Sequence, residues 1–289
     1  KLERNMCGLV GFLYNKVMGD DALSSQLLAM TNSLSHRGPD DHGFWTNQEH
    51  KIAIGHRRLS ILDLTSAGHQ PMHSNLERYV IAFNGEIYNH LEIRETLNDE
   101  YDYAIEWKGH SDTETLLYSF ETWGVDATLE KVSGMFSIAL YDAKHQSFYL
   151  IRDRIGEKPL YYGWINNNFV FGSELKSIKE FNGFSGEVDR NALALYLKYD
   201  YIPAPYSIYK GLRKLTQGSY FKISIGDDGW NQNCNSSLKR YWSMEDIAKS
   251  GKGNNKFNGS DQEAIQKLDD LLSKSVKQQM ISDVPLGAF

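Results

Sequence analysis

The chain has 289 residues, 41% hydrophobic, 12% aromatic and 24% charged, which is enough apolar side chain for a sizeable core, excludes global disorder and allows two folded units. A formal net charge of −6 with no run of basic residues argues against a nucleic-acid or anionic-membrane surface, so small molecules or other proteins are the expected partners. Two cysteines, Cys7 and Cys234, cannot build a disulfide framework, no Cys/His cluster suggests a metal, and no apolar stretch nears the roughly 18 residues that span a bilayer; the expectation is a soluble, cytoplasmic chain in a reducing compartment.

Residues 8–14 (GLVGFLY) form an apolar, β-prone run, which puts Cys7 at the edge of a strand. Over 20–35 the apolar residues Leu23, Leu27, Met30 and Leu34 recur at helical spacing behind Asp20 and Asp21, predicting an amphipathic helix capped by acid. A loop at 36–40 follows, then strands at 52–55 and 79–83 around a turn-rich stretch at 65–75. Further strands are predicted at 135–141, 147–151, 160–164 and 169–171. Their short, irregular connections suit antiparallel pairing, hence an α+β layered domain. Helices are predicted at 89–97, at 112–123 with Ser111 and Glu114 as a capping box and Gly124 as the stop, at 189–197, and at 260–280 behind a second box, Ser260 and Glu263. Between the last two lies a Gly/Asn/Ser/Lys-rich stretch at 250–260 whose composition reads as a linker.

Free cysteine is usually a small core hydrophobe, but Cys7 follows Met6. A chain that lost everything through Met6 would expose a cysteine whose own α-amine, with a pKa near roughly 8, can take the thiol proton. With residues 1–6 attached, that nitrogen is an amide and no base. Asn84-Gly85 offers a side-chain amide and a backbone N–H at a sharp turn as an oxyanion site, although Asn-Gly alone also reads as a hairpin turn. Arg58 could clamp a carboxylate; its neighbour Arg57 must point the other way if both lie in a strand. Asp112 and Glu86 could meet a substrate ammonium, and Asp112 equally suits the first turn of a helix. Together these groups match what hydrolysis of a free amino acid's side-chain amide requires.

The motifs MCGLVG at 6–11, HRGPD at 36–40, HRRLSILDL at 56–64, NGEIYNH at 84–90, SDTE at 111–114, GMFSIALYD at 134–142 and RDRIGEKPLYY at 152–162 resemble, in order, the class II glutamine amidotransferase domain of the glutamine-hydrolysing asparagine synthetases. HRGPD sets the chain apart from the glutamine phosphoribosylpyrophosphate amidotransferases and glucosamine-phosphate synthases. The resemblance implies an N-terminal-nucleophile hydrolase fold, an αββα sandwich of two antiparallel sheets. It implies Cys7 as nucleophile, Asn84 and Gly85 as oxyanion hole, Arg58 on the glutamine carboxylate, Glu86 and Asp112 on its amino-acid end, and the backbone of Leu59, Ser60, Ile61 and Leu62 lining the pocket, with no metal and no cofactor.

The implied organisation is an upstream extension with initiator Met at 1–6, an amidotransferase domain at 7–226, a linker at 227–259, and at 260–289 the start of an α/β ATP-pyrophosphatase-type synthetase domain, truncated before its phosphate loop. L-glutamine is the implied substrate here, L-aspartate and ATP with Mg²⁺ those of the other domain, and a homodimer is compatible. The first departure from the family pattern is the upstream residues 1–5; the second is Thr216 ahead of Gln217-Gly218, where a proline is usual. The alternatives are a relative with a different carboxylate acceptor, and a silent glutamine-sensing domain.

Overall fold

The computed structural model describes residues 6–16, 18–100, 105–226, 229–231, 233–252 and 256–285. The upstream residues 1–5 and the last four residues of the 260–289 span, 286–289, therefore lie outside the described residues.

Every strand pairing is antiparallel, and the strands form two six-stranded sheets. The first holds, in spatial order, β10 (Leu212–Lys214), β8 (Tyr161–Ile165), β9 (Asn168–Gly172), β1 (Gly8–Leu13), β3 (Ile52–Arg58) and β2 (Asp41–Asn47). The second runs β12 (Ser236–Arg240), β11 (Ser219–Ser224), β7 (Ser147–Arg152), β6 (Gly134–Asp142), β5 (Tyr79–Ile87) and β4 (Met72–His73).

Period-two alternation gives each central strand two apolar faces, and three separate cores result. Between the sheets lie Leu9, Ile54, Val80, Ala139, Phe148, Phe169 and Phe171. Helix α1 (Asp20–Asn32) and the short α4 (Leu175–Lys179) cover the outer face of the first sheet with Leu23, Leu27, Met30 and Ile178, which meet Val10 and Phe12. Helices α2 (His90–Glu100) and α3 (Asp112–Lys131) cover the second, where Ile93, Leu97, Leu116 and Phe120 pack on Tyr79, Ile81 and Phe83. A fully buried Phe in such a core is worth about 1.5–3 kcal/mol of transfer free energy. The order is the expected helix, sheet, sheet, helix.

Several expectations are corrected. Asp20 and Asp21 sit in the first turn of α1, behind an N-cap Gly19 that makes no side-chain cap bond. The Ser111 hydroxyl accepts from the Glu114 N–H as foreseen, but the Glu114 carboxylate turns to the N–H groups of Lys108 and Gly109 and to Arg94. Gly124, at φ 76°, breaks the helix as expected, yet helix resumes beyond it to Lys131. Asn84-Gly85 is no turn: β5 runs unbroken through it, with Asn84 opposite Ser137 and Gly85 opposite Phe136. Glycine is needed there because a Cβ would lie 2.2 Å from the Met135 carbonyl oxygen of β6. The span 227–259, read as linker, contains β12 laddered on β11, helix α6 (Met244–Lys252) and Trp230 buried against the inter-sheet core. Ladder hydrogen bonds do not depend on side-chain polarity, so composition misses them.

Helix α5 (Arg190–Tyr199) is capped by the Asp189 carboxylate. Helix α7 (Asp261–Gln278) opens with the full Ser260–Glu263 capping box and exposes Ile265, Leu268, Leu272, Val276 and, just past its end, Met280. No helix of the described residues is long and apolar enough to cross a membrane.

Candidate active site

One end of the sandwich brings the predicted residues together. Cys7 immediately precedes β1, whose first residue, Gly8, pairs with Arg57 near the end of β3. Arg58 ends β3, Asn84, Gly85 and Glu86 lie on β5, and Asp112 opens α3. These residues, with Leu59, Ile61, Leu62, Gly68, Gln70, Thr113 and Lys158 among others, line a cleft of about 540 Å³ including its open mouth. Ser60 is not among them; its N–H turns to the Asp40 carboxylate at 2.8 Å.

The Cys7 sulfur sits against the main chain of Leu59, with the N–H 3.3 Å and the carbonyl oxygen 3.5 Å away. Burial pushes the thiol pKa up, against the Leu59 backbone bond and the charges of Arg58 and Lys158. The thiol therefore needs a proton acceptor, and no histidine occurs among the lining residues. His56 is fully buried with Nε2 3.0 Å from the Phe83 carbonyl oxygen, and burial drives its pKa to about 4. Arg37 of the HRGPD loop anchors the nucleophile's own carbonyl, donating from Nε to Cys7 O at 2.9 Å and from Nη1 to Glu174 at 2.9 Å. The Met6 N–H donates to the Arg37 carbonyl at 2.9 Å, so the residue ahead of Cys7 is tied to the same loop.

Alternation along β3 separates the two arginines as expected. Arg57 reaches out to the end of α1, to Thr31 O and the Asn32 side chain, whereas Arg58 turns into the cleft wall. Its guanidinium donates to the carbonyls of Thr65 (3.1 Å), Leu62 (3.2 Å) and Asp63. It lies flat on Gly68, where a Cβ would come within 1.9 Å of Nη2. Among the described residues the buried Asn84 side-chain amide makes one hydrogen bond, a long one of 3.4 Å to Ser137 Oγ. An amide with a second N–H to give, beside the Gly85 backbone, can meet a developing oxyanion.

Two acids line the same cleft. Asp112 is buried, accepts the Ile87 N–H at 2.9 Å, and burial pushes its carboxyl up to about 7, against the Ile87 bond and with Glu86 adding to the rise. Burial raises Glu86 too, opposed by Lys158. Two carboxyls whose ionisation burial opposes are poised to gain from a cationic ligand.

Lys158 is a charged lining residue to which the motifs assigned no part. Among the described residues its ammonium donates one hydrogen bond, to the Met6 sulfur at 3.2 Å, and burial draws its pKa down while Glu86 opposes. Its position is set by Asp153, whose carboxylate collects the N–H groups of Phe136, Ile155, Gly156, Glu157 and Lys158. Acid followed closely by glycine in RDRIGEK is the available signal for such a carboxylate-wrapped turn. No group of three His, Cys, Asp or Glu among the described residues could hold a metal ion.

A family model described as a glutamine amidotransferase domain matches residues 6–242. A protein of Methanocaldococcus jannaschii provisionally named asparagine synthetase [glutamine-hydrolyzing] 2 is 34% identical over 98% of this chain and 54% of its own. Asparagine synthetase [glutamine-hydrolyzing] 1 of Bacillus subtilis is also 34% identical, over 98% of this chain and 42% of its own. The chain thus spans about half the length of the curated relatives it matches. Among solved structures, a B. subtilis glutamine phosphoribosylpyrophosphate amidotransferase complexed with ADP and GMP superposes with a TM-score of 0.55 at 19% identity, covering 82% of this chain and 50% of that one. A structure described as the allosteric regulatory enzyme of purine biosynthesis gives 0.58 at 19% identity, with 82% and 49% covered. Both likenesses concern the fold.

Proposed function

From the premise that the chain belongs to the glutamine amidotransferase domain family, we propose that it hydrolyses the side-chain amide of L-glutamine with Cys7 as nucleophile. The observation that supports this most is the convergence of Cys7, Arg58, Asn84, Gly85, Glu86 and Asp112, drawn from four separate elements, on one cleft. A free amino acid presents a carboxylate and an ammonium; Arg58 suits the first, Asp112 and Glu86 the second, which leaves the carboxamide toward the sulfur.

The α-amine of Cys7, freed by removal of everything through Met6, accepts the thiol proton as sulfur attacks the amide carbon. The oxyanion forms against the Asn84 amide and the Gly85 N–H, each worth about 10²–10³ in rate at such sites. The nitrogen leaves as ammonia with the proton from the α-ammonium, water then attacks the thioester through the same amine, and glutamate departs. Glutamine and water become glutamate and ammonia, with no metal or cofactor in the balance.

In a longer protein of the relatives' length, the ammonia would pass to a second unit that amidates aspartate activated by ATP and Mg²⁺, or another carboxylate. The exposed apolar stripe of α7 supports such a continuation.

Two chains test the reading, one beginning at Cys7 and one keeping the Met6–Cys7 bond, both verified by intact mass. The first is expected to release ammonia from glutamine and to be alkylated at Cys7 by a glutamine-mimicking diazoketone; the second, to bind glutamine without turnover. Equal turnover in both would remove the α-amine from the mechanism, and no turnover in either would leave a glutamine-sensing domain.

A further inference from the structure

The guanidinium of Arg58 is held by three carbonyls from one short loop, those of Leu62, Asp63 and Thr65. Wherever that loop goes, the cation goes with it. Asp63, at its centre, has φ 55°, a left-handed conformation uncommon for residues other than glycine, asparagine and aspartate. On the inner side its carboxylate accepts from the Thr65 N–H at 3.1 Å and the His110 N–H at 2.9 Å. Gly109 allows that approach, since a Cβ there would lie 2.1 Å from Asp63 Oδ2.

The outer side is closed by a residue far along the chain. The Asp283 N–H donates to the Ile61 carbonyl at 3.0 Å, and Asp283 Oδ2 accepts the Asp63 N–H at 2.7 Å. His110 Nε2 stands 2.6 Å from the same oxygen and its Nδ1 is 3.7 Å from Asp63 Oδ2, so the imidazole bridges the two acids. Asp283 follows α7 and belongs to neither sheet. It nonetheless bonds two backbone groups of the loop, the Ile61 carbonyl and the Asp63 N–H.

We propose that Asp283 is a positioning residue for substrate binding: by bonding to both Ile61 and Asp63 it fixes the carbonyls that hold Arg58, so the segment after α7 sets the affinity of the cleft for glutamine. This rests on the reading of the cleft as the glutamine site. The connection is one of covalent neighbours and hydrogen bonds, Asp283 to 61–63 to Arg58, and touches none of the groups assigned to bond cleavage. A change at Asp283 must therefore appear in KM and leave kcat nearly alone.

The test compares the full chain, freed to Cys7, with its Asp283→Ala, Asp283→Asn and His110→Gln variants, measuring glutamine KM, kcat and thermal midpoint, and glutamine dissociation by calorimetry. Asp283→Ala is expected to raise KM and the dissociation constant about tenfold, the equivalent of one bond to a charged group, with kcat within about twofold. Asp283→Asn keeps the N–H and one acceptor oxygen and is expected to recover much of the loss; His110→Gln should fall between. An unchanged KM in Asp283→Ala, or a fall in kcat and thermal midpoint alongside a proportionate rise in KM, overturns the proposal while leaving the glutaminase reading intact. A parent chain that neither binds nor hydrolyses glutamine overturns both.

Discussion

Replacing Asp112 by Asn separates the two roles open to an acid at the start of α3, support of the helix and capture of substrate. The carboxyl titrates at about 7 against its ordinary 3.8 because it is buried, beside Glu86. The folded chain therefore holds this proton more tightly than the unfolded chain, and its stability falls as pH rises from about 4 to about 7, then stays level. From 3.8 to about 7, at 1.36 kcal/mol per pH unit, the ionised group costs the fold on the order of 4 kcal/mol, shared in part with Glu86, with which it titrates as a pair. Asparagine keeps an oxygen for the Ile87 N–H and carries no charge. Urea unfolding at pH 8 should show Asp112→Asn more stable than the parent by up to about 4 kcal/mol, with the gap closing near pH 4. Glutamine binding should weaken about 10- to 100-fold at pH 8, the loss of one bond between charged partners. In the parent, affinity should rise with pH up to about 7, because an ammonium pairs with the carboxylate. A variant less stable than its parent at pH 8, with binding unaltered, would refute the reasoning and return Asp112 to a helix-start role.

Lys158→Met removes a positive charge that favours the Cys7 thiolate. Iodoacetamide labelling of Cys7 at pH 8, followed by peptide mapping, should slow by about threefold or more; an unaltered rate would disconnect the ammonium from the sulfur. Asp153→Ala removes the carboxylate that five backbone N–H groups share, of which Gly156 keeps the Asp153 carbonyl at 3.3 Å, and should cost at least about 3 kcal/mol in urea unfolding. Asp153→Asn should cost less, and a loss under about 1 kcal/mol for alanine would mean that the turn holds itself.

Where apolar runs are long and buried on both faces, as in β1, β5, β6 and β7, the strands were legible from residue type alone. The edge strand β2 reads DHGFWTN and β12 reads SSLKR, all five residues exposed, so neither carries a hydrophobic signature. Of the candidate residues named from the motifs, all but Ser60 line the cleft, and each was legible because it sits in a motif of recognisable chemistry. What escaped depends on backbone arrangement or distance. Asn84-Gly85 has the local signature of a turn, while the demand for glycine comes from β6. Lys158 is placed by a carboxylate five residues away that collects backbone N–H groups, and Asp283 meets Asp63 across a separation of 220 residues.

The strand that carries the nucleophile lies in the interior of its sheet, bonded to β3 on one side and to β9 on the other, with Val10 opposite Gly172. A growing polypeptide must therefore extend well beyond Gly172, with the ribosome exit tunnel cleared, before its first strand has both neighbours. Closing so long a loop is slow, and the outer ladders gain little until it closes. The seat of the Cys7 sulfur is thus completed only by residues far along the chain from it.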